Sequence, residues 1–182
     1  MPPRPPPVDD PSAYSNAKRY AEHLHLLAAT EFGLELVIAR GFSFVGPRMP
    51  LHKFAIGNFI RDALLGITPR LNSTGSAVRS YLYAGDSAHW LITLLALGGA
   101  SCIYNVGSDR AITVGGLAAR VAKLHHCPPP AISDSNHDEK SYYVPDIRRA
   151  GEELGLRATV SLDDAILKTA QWVKNSGVAL SR

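Results

Sequence analysis

A tyrosine and a lysine lie four residues apart near the start of the chain, as Tyr14 and Lys18. They open a stretch in which apolar residues recur at three- and four-residue steps, a spacing typical of an amphipathic helix. The two side chains are therefore predicted to lie one turn apart on the same side of that helix. A free phenol has a pKa of about 10 and is a poor base near neutrality, but an ammonium group held nearby favours its ionised form. The pair is therefore a candidate for acid/base chemistry.

The spacing alone is explained more simply by an exposed helix face, because tyrosine and lysine are common on helices. Further motifs favour the chemical interpretation. A β-rich run at 34–40 ends in arginine and leads to Gly46-Pro47-Arg48, and it is followed by Arg-x-x-x-Tyr at 79–83, Tyr-Asn-Val-Gly at 104–107 and Tyr-Val-Pro-Asp at 143–146. This order resembles the extended short-chain dehydrogenases/reductases of the NAD-dependent nucleotide-sugar epimerase/dehydratase family. The resemblance covers the chain from about Asp10 to Trp172.

The resemblance implies transient oxidation of a nucleotide-diphosphate sugar with NAD as the hydride acceptor, and it leaves NADP open. Tyr14 would remove the hydroxyl proton, while Lys18 would assist it and hydrogen-bond the nicotinamide ribose. The backbone around Phe42 would meet the nicotinamide carboxamide. Epimerisation, dehydration and other reactions of the keto sugar all stay open, since the carboxylates that distinguish dehydration commonly lie upstream in this family.

Four residues are expected beside the sugar nucleotide. Arg79 resembles the arginine that grips the diphosphate, since a guanidinium offers several donors in a fixed fork. Lys53 lies where related dehydratases often place a basic residue, although a solvated lysine explains it nearly as well. Asn105 is interpreted equally well as a ligand-side residue or as a residue that stabilises a turn at a strand end. Ser43 stands where many relatives have asparagine, so its contact with substrate would have a shorter reach.

Helical and strand patterns alternate along the chain, which indicates an α/β architecture. The prediction is an incomplete Rossmann-type sheet with a small C-terminal substrate-binding lobe. Helices are predicted at 12–32, 54–65, 113–125 and from Ser161 onward, and strands at 34–41, 78–83 and 103–106. Asp86 is expected to cap the helix that follows the second strand, and Trp90 and Trp172 are expected to be packing residues. Residues 1–11 form a Pro-rich segment, and 12–182 are interpreted as the C-terminal part of an epimerase/dehydratase domain.

A dinucleotide-binding fold normally begins with a strand, a Gly-rich turn and a helix, and the sequence shows no such arrangement. The chain is therefore interpreted as the C-terminal portion of such an enzyme and is expected to be inactive alone. The strand at 34–41 is expected to lack a neighbour and to expose unpaired backbone groups. The resemblance also implies a homodimer through the helix that bears Tyr14. The alternative is a non-catalytic module that dimerises or binds sugar nucleotides.

Composition limits the possible partners. With 182 residues, 46% of them hydrophobic, the chain can bury a core. A net charge of +3 with mixed signs gives little support for nucleic-acid binding, and no apolar run approaches the roughly 20 residues that span a bilayer. Two cysteines without metal or redox spacing fit a cytoplasmic protein. His125, His126, Cys127 and His137 suggest zinc, but the intervening prolines argue against it and no metal is expected.

Overall fold

The computed structural model describes residues 12–71, 73–132, 141–177 and 180. The elements found in these residues are α1 (Ala13–Phe32), β1 (Val37–Gly41), β2 (Phe44–Val45), α2 (Ala55–Leu64), β3 (Arg70–Leu71), β4 (Val78–Arg79), β5 (Leu82–Tyr83), α3 (Ala84–Leu97), β6 (Cys102–Val106), β7 (Ile112–Thr113), α4 (Val114–Leu124), β8 (Ala131–Ile132), β9 (Tyr142–Tyr143), α5 (Arg148–Leu154) and α6 (Leu162–Ser176). The alternation of helices and strands confirms the predicted α/β class. The Pro-rich segment 1–11 lies outside the described residues.

Local capping explains where the predicted helices begin and end. Gly33 ends α1 in the left-handed conformation at φ 64°, and its N–H donates to the Ala29 carbonyl. The Thr113 hydroxyl accepts a hydrogen bond from Gly116 N–H at 3.0 Å and starts α4. Ser161 starts α6 in the same way, accepting from Asp164 N–H at 3.1 Å. The four helices predicted from periodicity are confirmed to within about one residue at each predicted end.

The strands form small separate sheets. β1 and β6 pair in parallel over five residues, from Val37 opposite Cys102 to Gly41 opposite Val106. β2 pairs in parallel with β5, β3 with β8, and β4 lies between β7 and β9. Among the described residues β6 is the only strand beside β1, which agrees with the predicted loss of a neighbour. The prediction of one strand over 78–83 is wrong, because β4 and β5 belong to different sheets and the buried Ser80 lies between them.

The predicted capping role of Asp86 is also wrong. Helix α3 begins after Tyr83, so Asp86 lies inside the first turn, where it is only 7% exposed. Its carboxylate accepts hydrogen bonds from Thr159 N–H at 2.9 Å, Thr159 Oγ1 at 2.5 Å and Val160 N–H at 3.1 Å. A carboxylate near a helix N-terminus is also favoured by the helix dipole. Asp86 therefore ties α3 to the segment that leads into α6.

Two apolar clusters stabilise the fold. The first lies among α2, α4 and α6, where Ile60, Leu117 and Ile166 are fully buried. The second lies between α3 and the β1–β6 pair and contains Trp90, which is fully buried and donates its indole N–H to the Arg157 carbonyl at 3.3 Å. Trp90 is thus confirmed as a packing residue, whereas Trp172 is half-buried. Within the described part of the chain, no helix combines the length and apolarity needed to cross a bilayer.

Candidate active site

Tyr14 and Lys18 lie in the first turns of α1, as their spacing predicts. The Lys18 ammonium is 5.6 Å from the centroid of the Tyr14 ring. Both side chains are exposed, Tyr14 by 74%. The phenol and the ammonium can therefore reach a ligand together.

An arginine on β1 forms an ion pair with a glutamate on α1. Arg40 donates two hydrogen bonds to the Glu22 carboxylate, at 2.8 and 2.6 Å, and these bonds hold the pKa of Glu22 below its usual value. A short connection joins α1 to β1, so the helix and strand run in opposite directions. Tyr14 lies eight residues before Glu22, which places it about 12 Å further along the helix. It therefore projects beyond the carboxyl end of β1, the edge at which open α/β sheets bind ligands.

Phe42 and Ser43 follow β1 at this edge. Phe42 N–H donates to the Val106 carbonyl at 3.0 Å, so its backbone continues the pairing of β1 with β6. The Phe42 ring stacks on Tyr143 with centroids 4.7 Å apart. The Ser43 carbonyl accepts a hydrogen bond from Leu82 N–H at 3.0 Å, and its side chain is half-buried. The backbone at Phe42 is thus fixed where the sequence predicts a ligand contact.

Arg79 lies on the central strand of a three-stranded sheet and is half-buried. Its Nη1 donates to the carbonyls of Val78 at 2.8 Å and Ser141 at 3.1 Å. Burial raises the pKa of the neighbouring Tyr81 hydroxyl, and the positive charge of Arg79 opposes that rise. Since Nη1 alone makes the hydrogen bonds of this guanidinium to described residues, Nε and Nη2 are available for an anion.

Asn105 and Lys53 have different surroundings. Asn105 lies on β6 opposite Arg40, and its Nδ2 donates to the Asp146 carbonyl at 2.9 Å. Lys53 is exposed in the loop before α2. In the described ranges, no hydrogen bond or ion pair joins Lys53 to the other predicted site residues. The structure therefore connects Phe42, Arg79 and Asn105 through one segment, 141–146, and leaves Lys53 apart from them.

Tyr143 is part of the Tyr-Val-Pro-Asp motif, but no role was predicted for it from the sequence. Tyr143 stacks on Phe42 and is the register partner of Arg79 on the neighbouring strand. The signal in the sequence was a tyrosine in the Tyr-Val-Pro-Asp motif. Its partners could not be read from spacing, because they lie 64 and 101 positions away along the chain.

The residues present fit one end of a dinucleotide better than the other. Tyr14, Lys18 and Phe42 lie at the edge where a nicotinamide and its ribose would meet the sheet. The pyrophosphate of such a cofactor needs a Gly-rich turn between a strand and a helix. Gly98 and Gly99 instead follow α3, and Gly115 and Gly116 lie in the first turn of α4. The described residues therefore offer groups for the nicotinamide side alone.

His125, His126 and Cys127 belong to no metal site in the described part of the chain. Across the described residues, no group of three or more His, Cys, Asp or Glu side chains is arranged to hold a metal ion, and His137 lies outside those residues. Cys127 Sγ instead lies 3.7 Å from the Ala63 carbonyl. Burial, followed by the charges of Lys174 and His126, lowers the pKa of His125.

The chain is similar to several known proteins. UDP-glucuronic acid decarboxylase 3 of Arabidopsis thaliana is 32% identical over 165 residues, a match that covers 88% of this chain and 47% of that protein. Among solved structures, UDP-glucose 4-epimerase of Thermotoga maritima with UDP-glucose matches 90% of this chain and 53% of that one, with a TM-score of 0.81 and 23% identity. The enzyme WbmF of Bordetella bronchiseptica in complex with NAD+ and UDP matches 95% and 55%, with a TM-score of 0.80 and 24% identity.

Each of these matches covers most of this chain but only about half of the other protein. The chain spans about half the length of the proteins it matches. The structural likenesses support a Rossmann-like epimerase/dehydratase fold. The profile of the NAD-dependent epimerase/dehydratase family matches residues 3–107, which is more than half of the chain. The chain therefore belongs to the NAD-dependent epimerase/dehydratase family.

Proposed function

We propose that this chain supplies the catalytic helix and the sugar-nucleotide site of an enzyme that transiently oxidises a nucleotide-diphosphate sugar, during its epimerisation or dehydration. One observation carries the proposal. The Tyr14–Lys18 pair lies in the first turns of α1, Phe42 and Asn105 lie at the carboxyl end of the β1–β6 pair, and the segment 141–146 connects Arg79 to both.

The catalytic pair has a defined task in this reaction. Tyr14 takes the proton from the sugar hydroxyl that is oxidised, and Lys18 favours the ionised phenol and hydrogen-bonds the nicotinamide ribose. When bound, NAD supplies the hydride acceptor. WbmF, which has a similar fold, has been solved with NAD+ and UDP. NADP is a second possible cofactor, because the choice depends on residues beside the adenine ribose.

Positively charged side chains are proposed to bind the diphosphate of the substrate. Arg79 directs Nε and Nη2 at the diphosphate, with Nη1 fixed by two backbone carbonyls. Lys53 adds a second positive charge from its exposed loop, and Ser43 contacts the sugar or phosphate with one hydroxyl. The matched decarboxylase and epimerase are named for UDP-linked substrates, so UDP-glucose is the first ligand to test.

The proposed oxidation needs a dinucleotide-binding part beside β1, since the described residues hold no Gly-rich phosphate turn. We also propose a homodimer through α1, whose Tyr20, Leu24 and Leu27 share one face and are 64%, 45% and 53% exposed. Cys102 and Cys127 are free thiols, which supports a place in the reducing cytoplasm.

A second function, that of a non-catalytic module that dimerises or binds sugar nucleotides, is favoured by one feature. The groups for the substrate are present in the described residues, whereas the turn for the cofactor pyrophosphate is not. Such a module would bind UDP-glucose without passing hydride to NAD.

Titration calorimetry and absorbance of reduced nicotinamide separate the two functions. The 182-residue chain is titrated with UDP-glucose, and is then mixed with UDP-glucose, NAD and an added dinucleotide-binding domain of the same family. Enzyme function predicts UDP-glucose binding by the chain and the appearance of reduced nicotinamide in the mixture. Arg79→Lys keeps the charge but loses the fork, so it should weaken UDP-glucose binding about tenfold. Arg70→Lys, on an exposed strand position, is the matched control.

Each outcome has a distinct meaning. UDP-glucose binding without reduced nicotinamide favours the module. Absence of UDP-glucose binding in the wild-type chain contradicts both functions. Equal affinity in the Arg79→Lys variant removes Arg79 from the diphosphate site.

A further inference from the structure

The segment 141–146, called the strap below, holds the predicted site residues in place from one side. Its Ser141 carbonyl accepts hydrogen bonds from Val78 N–H at 2.8 Å and from Arg79 Nη1 at 3.1 Å. Its Tyr143 ring stacks on Phe42. One end of the strap therefore orients the arginine, and its middle supports the residue that follows β1.

Asn105 holds the other end of the strap. Its Nδ2 donates to the Asp146 carbonyl at 2.9 Å. The Asp146 carboxylate accepts from Arg148 N–H at 3.0 Å and from the Arg148 guanidinium at 2.7 Å. These hydrogen bonds lower the pKa of Asp146 to about 2. Asp146 is thus ionised at neutral pH and fixed to the start of α5, so its carbonyl is a well-placed acceptor for Asn105.

The strap packs closely against the end of β6. A Cβ on Gly107 would come within 2.7 Å of Pro145 Cγ and 3.2 Å of Phe42 Cβ. Gly107 therefore lies close to both the strap and Phe42, with no space for a side chain between them. Asn105, two residues before Gly107, is the residue of β6 whose side chain bonds the strap.

We propose that Asn105 is a positioning residue, which clamps the strap so that Ser141 orients Arg79 and Tyr143 supports Phe42. This inference rests on the proposed function, because it is the sugar-nucleotide site that the strap organises. Asn105 thereby affects ligand affinity through Arg79 and does not itself contact the ligand.

Hydrogen exchange and calorimetry test the clamp on the full chain. Asn105→Ala should speed exchange of the Val78 amide, which donates to Ser141, and should weaken UDP binding about tenfold. Asn105→Gln keeps an amide donor and should restore part of both. Asn175→Ala, an exposed asparagine on α6, is the matched control and should change neither.

A double-mutant cycle distinguishes positioning from direct contact. In the Arg79→Gln background, Asn105→Ala should cause little further loss of UDP affinity, because the group that the clamp orients is gone. Full, additive loss of affinity with an unchanged Val78 exchange rate would show that Asn105 is a ligand and would overturn the proposal. An unchanged exchange rate together with unchanged affinity overturns it as well.

Two different measurements distinguish failure of the proposed function from failure of this inference. If the wild-type chain binds no UDP, the sugar-nucleotide site is wrong. Val78 exchange in Asn105→Ala still reports whether the strap is clamped, and unchanged exchange there contradicts the inference without reference to any ligand.

Discussion

At the scale of single residues, the position of Tyr14 decides what the chain can do. A phenol acts as a base only where its ionised form is stabilised and where the substrate can reach it. Lys18 supplies a positive charge one turn away, and the Glu22–Arg40 ion pair links α1 to β1. The exposed position of Tyr14 leaves its hydroxyl within reach of a ligand.

Replacing Tyr14 with Phe should separate binding from chemistry. The ring and its packing stay, whereas the proton acceptor is lost. With the dinucleotide-binding domain added, hydride transfer from UDP-glucose to NAD should fall by about 10²- to 10⁴-fold, and calorimetry should show unchanged UDP-glucose affinity. Tyr20→Phe, on the same helix, is the matched control. Undiminished hydride transfer in the Tyr14→Phe variant would show that another group takes the proton.

At the scale of elements, Asp86 shows how a buried carboxylate joins parts of the chain that lie far apart. It satisfies two backbone N–H groups and one hydroxyl at the entry to α6. Removing it takes away three hydrogen bonds to a carboxylate that is only 7% exposed, and hydrogen bonds to a charged group contribute more than those between neutral groups.

Asp86→Ala should therefore lower the free energy of unfolding by about 3 kcal/mol. For a chain of this size that corresponds to a fall in Tm of roughly 6–12 °C, measurable by calorimetry or circular dichroism. Asp109→Ala removes an exposed carboxylate and should leave Tm nearly unchanged. Equal melting of both variants would mean that the Asp86 contacts add no stability.

The contact between α4 and α6 should make stability depend on pH through His125. Burial and the charge of Lys174 lower the pKa of His125 from 6.5, and its Nε2 is buried without a hydrogen-bond partner in the described residues. As pH falls below about 6.5, the unfolded chain takes up this proton before the folded chain does. The free energy of unfolding should therefore decrease with decreasing pH in that range.

Measuring Tm at pH 7 and at pH 5 tests whether stability decreases as the pH falls. His125→Gln carries a polar side chain that does not titrate, so its Tm should fall less between the two pH values than that of the wild type. His52→Gln, at an exposed position, should behave as the wild type does. A Tm that falls equally in wild type and His125→Gln would place the pH dependence on other groups.

The sequence predicts local structure well where one feature decides it. The period of apolar residues and the caps at Gly33, Thr113 and Ser161 define the helices. Asp86 was misassigned because the groups that donate hydrogen bonds to it lie more than 70 positions away, and spacing carries no information about such contacts. For the same reason Arg79 could be proposed as a phosphate ligand from its motif, but its fixation by Ser141, 62 positions later, could not.

At the scale of the whole molecule, surfaces that would normally be buried are open. β1 has one strand neighbour among the described residues, and a parallel pair usually lies inside a larger sheet covered on both faces. Helix α3 likewise exposes Leu91, Ile92 and Leu95, the last by 86%. The matched decarboxylase and epimerase are about twice the length of this chain. The open edge belongs to the strand that follows α1, the helix proposed to be catalytic.

The apolar face of α1 is the part of this open surface that a second copy is proposed to cover. Tyr20, Leu24 and Leu27 recur at helical spacing on that face. Burying a lysine ammonium there is unfavourable unless it finds a partner. Leu24→Lys should therefore convert a dimer into a monomer, observed by light scattering coupled to size exclusion. Leu167→Lys, at a leucine of α6 that is 42% exposed, should stay dimeric. A monomeric wild-type chain, or a Leu24→Lys variant that remains dimeric at micromolar concentration, would show that α1 is not the interface between copies.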